Sequence, residues 1–349
     1  MGAITDSSSP SLPVSRCRVC ASIDVHQTFR IREMMFGTRE EFEYFMCRSC
    51  GCLQISDIPA DISQYYPKGY YSHEPALTPR SPSKSLLSKA MERLLVSTAL
   101  FDRGYKASRL AKKFSSFPDT FFRSRPELLK RAGVRDFSAA ILDIGCGGQA
   151  QWLRDLRSIG FRNLLGIDPF IASDLQLEGV KILRSDTSAL ANHLSARSFD
   201  LITLHHSLEH IPNQLETLRD IETLLAPTGT CVIRIPTISS SAWETYGVNW
   251  VELDAPRHLY LHSKHSLRDA ARRVGLHLFK IEYDTTAFEF YGSEQYMLGI
   301  PLVAPNSLWV NPASTLFSPG KLQEFEARAK AVNINETAGR ACFFFRRSP

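Results

Sequence analysis

Two periods of apolar residues organise the second half of the chain. Short apolar runs, bounded by glycine, aspartate or asparagine, alternate with segments whose apolar residues fall three and four apart. The runs Ala139–Asp143, Asn163–Asp168, Val180–Leu183, Phe199–Leu204 and Gly229–Ile235 predict five buried strands. Between the first two, Gln149–Ile159 puts Trp152, Leu153, Leu156 and Ile159 on one helical face. Helices are predicted over Leu215–Leu224, Ser266–Val274 and Lys321–Val332, with Pro227-Thr-Gly229 as the turn before the fifth strand. Leu276–Tyr283 and Gly339–Arg347 supply a sixth and a last strand. Strands alternating with helices in this way predict an α/β fold, a doubly wound, Rossmann-like sheet of seven strands. Gln295 to Gly320 is uncharged, but Pro301, Pro305, Pro312 and Pro319 make it an irregular insertion rather than a membrane span.

The first half has no such alternation. Residues 1–14 are polar and Ser-rich, lack the apolar core of a signal peptide, and read as a disordered tail. A cytoplasmic location follows as an expectation. Residues 15–75 hold five of the eight cysteines, as Cys17-x-x-Cys20 and Cys47-x-x-Cys50 with Cys52 spare. Between the pairs, Glu43–Met46 reads as a strand that delivers the second one. Without a secretory signal, the spacing points to metal rather than disulfides, with a redox pair as the alternative. Four thiolates complete tetrahedral zinc with no position left for water, so the expected site is structural and the module zinc-ribbon-like. The aromatic run Tyr65-Tyr-Pro-Lys-Gly-Tyr-Tyr71 reads as docking this module or lining an acceptor cleft. Pro75–Pro82 is a linker.

Residues 76–135 form a basic helical linker and cap. Lys84, Lys89, Arg93, Arg103, Lys106, Arg109, Lys112 and Lys113 stand among few acids. A solvated basic face is the plain reading; an acidic acceptor or a membrane surface is the sharper one. Over all 349 residues the charge is +5, with 44% hydrophobic and 22% charged residues. That is ordinary for a soluble globular protein and too weak a bias to imply nucleic acid.

Ligand chemistry is concentrated in residues 136–349. Ile141-Leu-Asp-Ile-Gly-Cys-Gly-Gly148 is a strand running into a glycine turn and then a helix, which lets backbone approach a ligand beside free helix N–H groups. Asp168 ends the second strand, where a ribose-binding carboxylate belongs, and Arg184-Ser-Asp186 follows the third. Asp143-x-Gly145-x-Gly147, Asp168, Asp186 and Phe199–Leu204 resemble, in order, the motifs of class I S-adenosylmethionine-dependent methyltransferases. The resemblance implies S-adenosylmethionine as cofactor, held by Asp143, Gly145, Cys146, Gly147, Asp168, Asp186, Leu204 and His205. Gln149 departs from the family's third glycine. A dehydrogenase's Gly-x-Gly-x-x-Gly would need glycine at Ala150.

Two polar clusters follow strands. In His205-His-Ser-Leu-Glu-His210, His206, Glu209 and His210 share one face if helical. The second cluster is Trp250-Val-Glu-Leu-Asp-Ala-Pro-Arg-His-Leu-Tyr260. Imidazoles there suit deprotonation of an acceptor hydroxyl: His258 or His210 as base, Glu209 orienting an imidazole. Arg257 beside His258 is expected to disfavour its imidazolium, which ranks His258 first. A His206–Glu209–His210 metal site is the other reading. With the cysteine module and Pro256-Arg-His-Leu-Tyr260, the whole layout resembles bacterial methyltransferases associated with sugar methylation. That implies a glycan or small-molecule acceptor, in nucleotide-linked or lipid-linked form. A nucleic-acid or protein methyltransferase, and a non-catalytic scaffold, are the competing classes.

Overall fold

A computed structural model of the protein describes residues 14–67, 86–101 and 128–348. Residues 1–13 of the expected tail, Tyr70, Tyr71, the linker Pro75–Pro82 and residues 102–127 of the basic segment lie outside the described residues. The strands are β1 (Val14–Arg16), β2 (Ile23–Val25), β3 (Gln27–Arg32), β4 (Glu41–Met46), β5 (Leu53–Ile55), β6 (Ile141–Ile144) and β7 (Leu164–Ile167). They continue as β8 (Leu175–Leu177), β9 (Val180–Leu183), β10 (Phe199–His205), β11 (Leu225–Pro236), β12 (Tyr260–Leu261), β13 (Leu276–Tyr283) and β14 (Arg340–Arg347). The helices are α1 (Leu86–Phe101), α2 (Gln151–Ile159), α3 (Thr187–His193), α4 (Gln214–Leu224), α5 (Ser241–Tyr246), α6 (Lys264–Arg273), α7 (Phe288–Met297) and α8 (Pro319–Ile334).

The chain divides into two compact units: Met1–Tyr65 with Pro236–Ala270 and Tyr283–Arg340, and Tyr66–Ile235 with Ala271–Glu282 and Ala341–Pro349.

The second unit is built on an α/β sheet of order β13-β14-β11-β10-β6-β7-β9-β8. Strands β11, β10, β6, β7 and β9 run parallel. Every residue of β6 is buried, Asp143 included, as in a parallel strand covered on both faces. Leu153, Leu156 and Ile159 of α2, Leu201 of β10 and Val232 of β11 share this core, and so does Leu100 of α1. From β6 the chain builds outward through β7 to β9, then returns to lay β10 on the other side of β6. In such sheets ligands bind beside the reversal, at the carboxyl ends of the strands, here those of β6 and β10.

The sheet has eight strands rather than the expected seven. The extra one, β8, pairs antiparallel with β9 through a two-residue turn. Both turn residues, Glu178 (φ 51°) and Gly179 (φ 84°), are left-handed, which is the backbone of a tight hairpin turn. Pro227-Thr-Gly229 is not a turn either. β11 already begins at Leu225, and its register against β10 shifts between Phe199 and Leu201, so the triplet forms a bulge inside the strand.

The first unit carries the antiparallel sheet β12-β5-β4-β3 and the β1–β2 pair. Its core gathers Ile31, Tyr44, Phe45, Leu53 and Ile55 with Trp250, Leu253, Tyr260 and Phe290. The cysteine segment therefore shares its core with residues more than two hundred positions later. α7 occupies the start of the uncharged insertion, ahead of its prolines. No described helix is long and apolar enough to cross a membrane.

Candidate functional site

The sulfur atoms of Cys17, Cys20, Cys47 and Cys50 converge, all within 4.8 Å of one another. Cys17 Sγ lies 3.7 Å from Cys50 Sγ, and Cys20 Sγ 3.5 Å from Cys47 Sγ. Four sulfurs at about 2.3 Å from a tetrahedral ion stand roughly 3.8 Å apart, so the donor set fits zinc. Polar groups face the sulfurs. Gln54 Nε2 donates to Cys17 Sγ at 3.1 Å, and the Cys20 amide donates to it at 3.4 Å. The Cys50 thiol, with smaller help from these donors, holds Cys17 down to about 4 against the effect of burial. Cys52 is outside the group. It is fully buried, its sulfur lies 3.6 Å from the Leu53 carbonyl, and burial pushes its thiol well up. Gly51 turns the second knuckle at φ +70°, and the Ser263 hydroxyl donates to the Cys50 carbonyl at 2.7 Å.

The second group of polar residues surrounds the loop after β6. Gly145 and Gly147 take φ of +73° and +66°, conformations that favour glycine. A Cβ on Gly145 would stand 2.4 Å from Ser207 Cβ, so the position has no room for alanine. Gln149 is not left-handed. The strained residue is Ala150 (φ 41°), just before α2, so the family's third glycine is not needed at 149. Asp168 ties the loop down: Oδ2 accepts from the Gly147 amide and Oδ1 from the Phe170 amide, each at 2.9 Å. Asp143 is buried beneath the loop and accepts from the Thr203 hydroxyl at 2.7 Å. Burial pushes its carboxyl up to about 7; Thr203 opposes the rise and Asp168 adds to it. Cys146 packs its thiol against Gly166, where any side chain would collide with it.

The structure thus brings Asp143, Gly145, Cys146, Gly147 and Asp168 together at one end of the sheet. Asp186 is solvent-exposed and caps α3 through the Ala189 amide at 2.8 Å. The Leu204 side chain is fully buried among strands. His205 is half-buried with its ring 5.0 Å from that of Trp152. Thr203 and Ser207 escaped the sequence reading. The trace they left is a threonine among the apolar residues Leu201, Ile202 and Leu204 of β10.

The histidines divide by partner. His206 is left-handed (φ 54°), and its Nδ1 lies 3.4 Å from Glu209 Oε1. His210 Nδ1 lies 3.2 Å from the Tyr66 hydroxyl, and Tyr66 stacks on the exposed ring of Phe170. The segment Leu208–His210 is a single 3-10 turn, so the helical face expected for these three residues does not form. Among the described residues, His206, Glu209 and His210 do not converge as a three-donor metal cluster.

His258, in the first unit, is buried, and its Nδ1 lies 2.7 Å from the Glu252 carbonyl oxygen. A carbonyl can only accept, so Nδ1 carries the proton and Nε2 is the basic nitrogen of the neutral ring. The buried Arg257 guanidinium donates to Glu33 Oε1 at 2.7 Å, to both oxygens of Asp254, and to the Tyr65 carbonyl. Two carboxylates neutralise its charge, so Arg257 ties the first unit together. Tyr65 packs edge-on against Phe42 and donates to Glu40.

Residues 108–281 match a family model described as a methyltransferase domain. Among solved structures, an S-adenosylmethionine-dependent methyltransferase of Archaeoglobus fulgidus aligns at 16% identity. It covers 63% of this chain and 92% of its own, with a TM-score of 0.40. One from Mesorhizobium loti aligns at 16% identity over 60% and 91%, with a TM-score of 0.36. A phosphoethanolamine N-methyltransferase of Haemonchus contortus, in complex with S-adenosyl-L-methionine, aligns at 18% over 64% and 51%, with a TM-score of 0.37. No curated protein matches the chain.

Proposed function

We propose that the chain, whose residues 108–281 match a methyltransferase domain, transfers a methyl group from S-adenosylmethionine to a hydroxyl or carbon of a sugar, nucleotide-linked or glycan-bound. The observation that carries the cofactor assignment is the pair of buried carboxylates, Asp143 and Asp168, around the left-handed Gly145–Gly147 loop at the sheet's reversal point. Two acids in a recess suit a cationic ligand. When bound, the cofactor supplies a methyl group on a positively charged sulfur. The chain's own residues then have three tasks. Asp168, already facing the loop, accepts hydrogen bonds from ribose hydroxyls, with Asp186 at the next strand end as a further acceptor. Asp143 receives the cofactor's polar end. His258 or His210 removes the acceptor's proton as it attacks, with Glu209 ordering the loop around His206. Cys17, Cys20, Cys47 and Cys50 hold one structural zinc, which takes no part in the transfer. Support for a sugar acceptor is the layout of cysteine module, glycine loop and histidine clusters.

Incubation with methyl-labelled S-adenosylmethionine and a panel of nucleotide-sugars is expected to label one of them. Label entering RNA or protein instead, with affinity collapsing as salt rises, would remove the sugar assignment. Asp168→Ala is expected to weaken cofactor binding by about 1.5–3 kcal/mol, the loss of a charged hydrogen-bonding partner. Calorimetric titration with undiminished affinity would show that the carboxylate only shapes the loop.

A further inference from the structure

β10 and the turn that follows it carry two hydroxyls that reach across to β6 at the reversal point. Thr203 stands opposite Asp143 in the parallel register and is fully buried. Its one hydroxyl proton has two acceptors in range, Asp143 Oδ1 at 2.7 Å and the Leu142 carbonyl at 3.3 Å. The shorter bond, to a carboxylate, is the stronger. Four residues on, Ser207 donates to the Ile144 carbonyl at 2.8 Å and fills the space that a Cβ on Gly145 would need. The end of β6 is thus fastened to β10 on both sides of Ile144. Asp143 and Asp168 differ in how they are held. Asp168 accepts from two backbone amides. Among the described residues, Thr203 is the hydrogen-bond donor to the Asp143 carboxylate.

We infer that Thr203 is a positioning residue for cofactor binding, its hydroxyl fixing the Asp143 carboxylate in the orientation that receives S-adenosylmethionine. The inference rests on the cofactor assignment above. A valine at 203 keeps the shape of the side chain and deletes the donor. Asp143 can then rotate, and it also loses the bond that favours its ionised form. The titratable groups facing it are Asp168 at the end of β7, which raises it, and the Cys146 thiol of the loop, which burial keeps neutral. Burial already pushes Asp143 up to about 7, and loss of the Thr203 bond moves it higher. An ionised Asp143 binds the ammonium of the cofactor's amino-acid end, which S-adenosylhomocysteine shares, better than a neutral one does. Affinity therefore rises with pH through this titration, and the rise occurs at higher pH in the valine variant.

The test uses the full-length protein and S-adenosylhomocysteine, which binds without turning over. Affinity is measured by calorimetry across pH 5.5–8.5 for wild type, Thr203→Val and Thr203→Ser, with thermal melting as the folding control; Thr203→Ala replaces a valine variant that fails to fold. Thr203→Val is expected to bind about tenfold more weakly at pH 7, with its pH midpoint displaced upward, and Thr203→Ser to restore both. Unchanged affinity and midpoint in Thr203→Val would overturn the inference. So would an equal loss at every pH that serine does not restore, since that is packing alone. A wild type that binds neither S-adenosylhomocysteine nor S-adenosylmethionine at any pH would overturn the cofactor assignment itself, and this inference with it.

Discussion

Chelation is expected to unfold the compact unit that contains Cys17, Cys20, Cys47 and Cys50, while the melting of the unit built on the eight-stranded sheet persists. Structural zinc in small modules contributes about 10–16 kcal/mol of apparent folding free energy at neutral pH. A whole domain's net stability is about 5–15 kcal/mol. The metal is therefore on the scale of everything else that holds this unit. The loss should not stop at the knuckles. Gly51 is packed on Ser263, β5 pairs with β12, and Arg18 donates to the Tyr260 hydroxyl at 3.2 Å, so the cysteine loops are part of the fold of residues 236–270. Calorimetry with and without chelator, beside metal analysis, reads the result. The expected pattern is two transitions, the chelator removing one, with one zinc per chain. Acid should mimic the chelator, since protonated thiols do not bind metal. Identical melting in both conditions, with no stoichiometric zinc, would end the assignment.

Replacing the general base with alanine is expected to lower turnover about 10²–10⁴-fold while cofactor affinity stays nearly unchanged. His258 is ranked ahead of His210 on the grounds of tautomer. The Glu252 carbonyl keeps the proton of His258 on Nδ1 and leaves Nε2 basic. The Tyr66 hydroxyl can donate to His210 Nδ1 or accept from it, so that bond leaves the tautomer of His210 open. A base must be neutral to accept a proton, so turnover should fall in acid and lose that dependence in the variant lacking the base. Single substitutions of His206, Glu209, His210 and His258, assayed across pH with and without chelator and added divalent ion, separate base from metal ligand. Rescue of the His206, Glu209 and His210 variants together by metal would favour a metal. Full activity in both His210→Ala and His258→Ala would sink the general-base proposal.

How far the sequence alone carries depends on how local each feature is. Strands β9 and β13 fall on their predicted bounds, and the helices over 215–224 and 321–332 gain only end residues. Apolar period is a property of neighbouring positions, and burial in a parallel sheet enforces it. The cysteine pairs were legible for the same reason: each Cys-x-x-Cys turn is local, and a tetrahedral ion accepts few other arrangements. The tight turn at Glu178-Gly179 was missed because only one of its two left-handed residues is glycine. The bulge at Pro227–Gly229 was missed because proline and glycine signal a break without saying whether the chain reverses or continues.

What tertiary structure decided lies in pairs distant along the chain. Arg257 adjoins His258 in the sequence, yet its charge is answered by Asp254, three positions before it, and by Glu33, 224 positions away. Thr203 looked like one polar residue in a strand until the parallel register set it opposite Asp143, 60 positions earlier. The cysteine segment, residues 15–75, reads from the sequence as a separate zinc-ribbon-like module, and it shares a compact unit with Pro236–Ala270 and Tyr283–Arg340. Local pattern fixes which segments are strands, helices and knuckles, because it reflects backbone conformation and one-sided burial. Which buried charge meets which donor depends on strand order and register, and those follow from packing the whole chain at once.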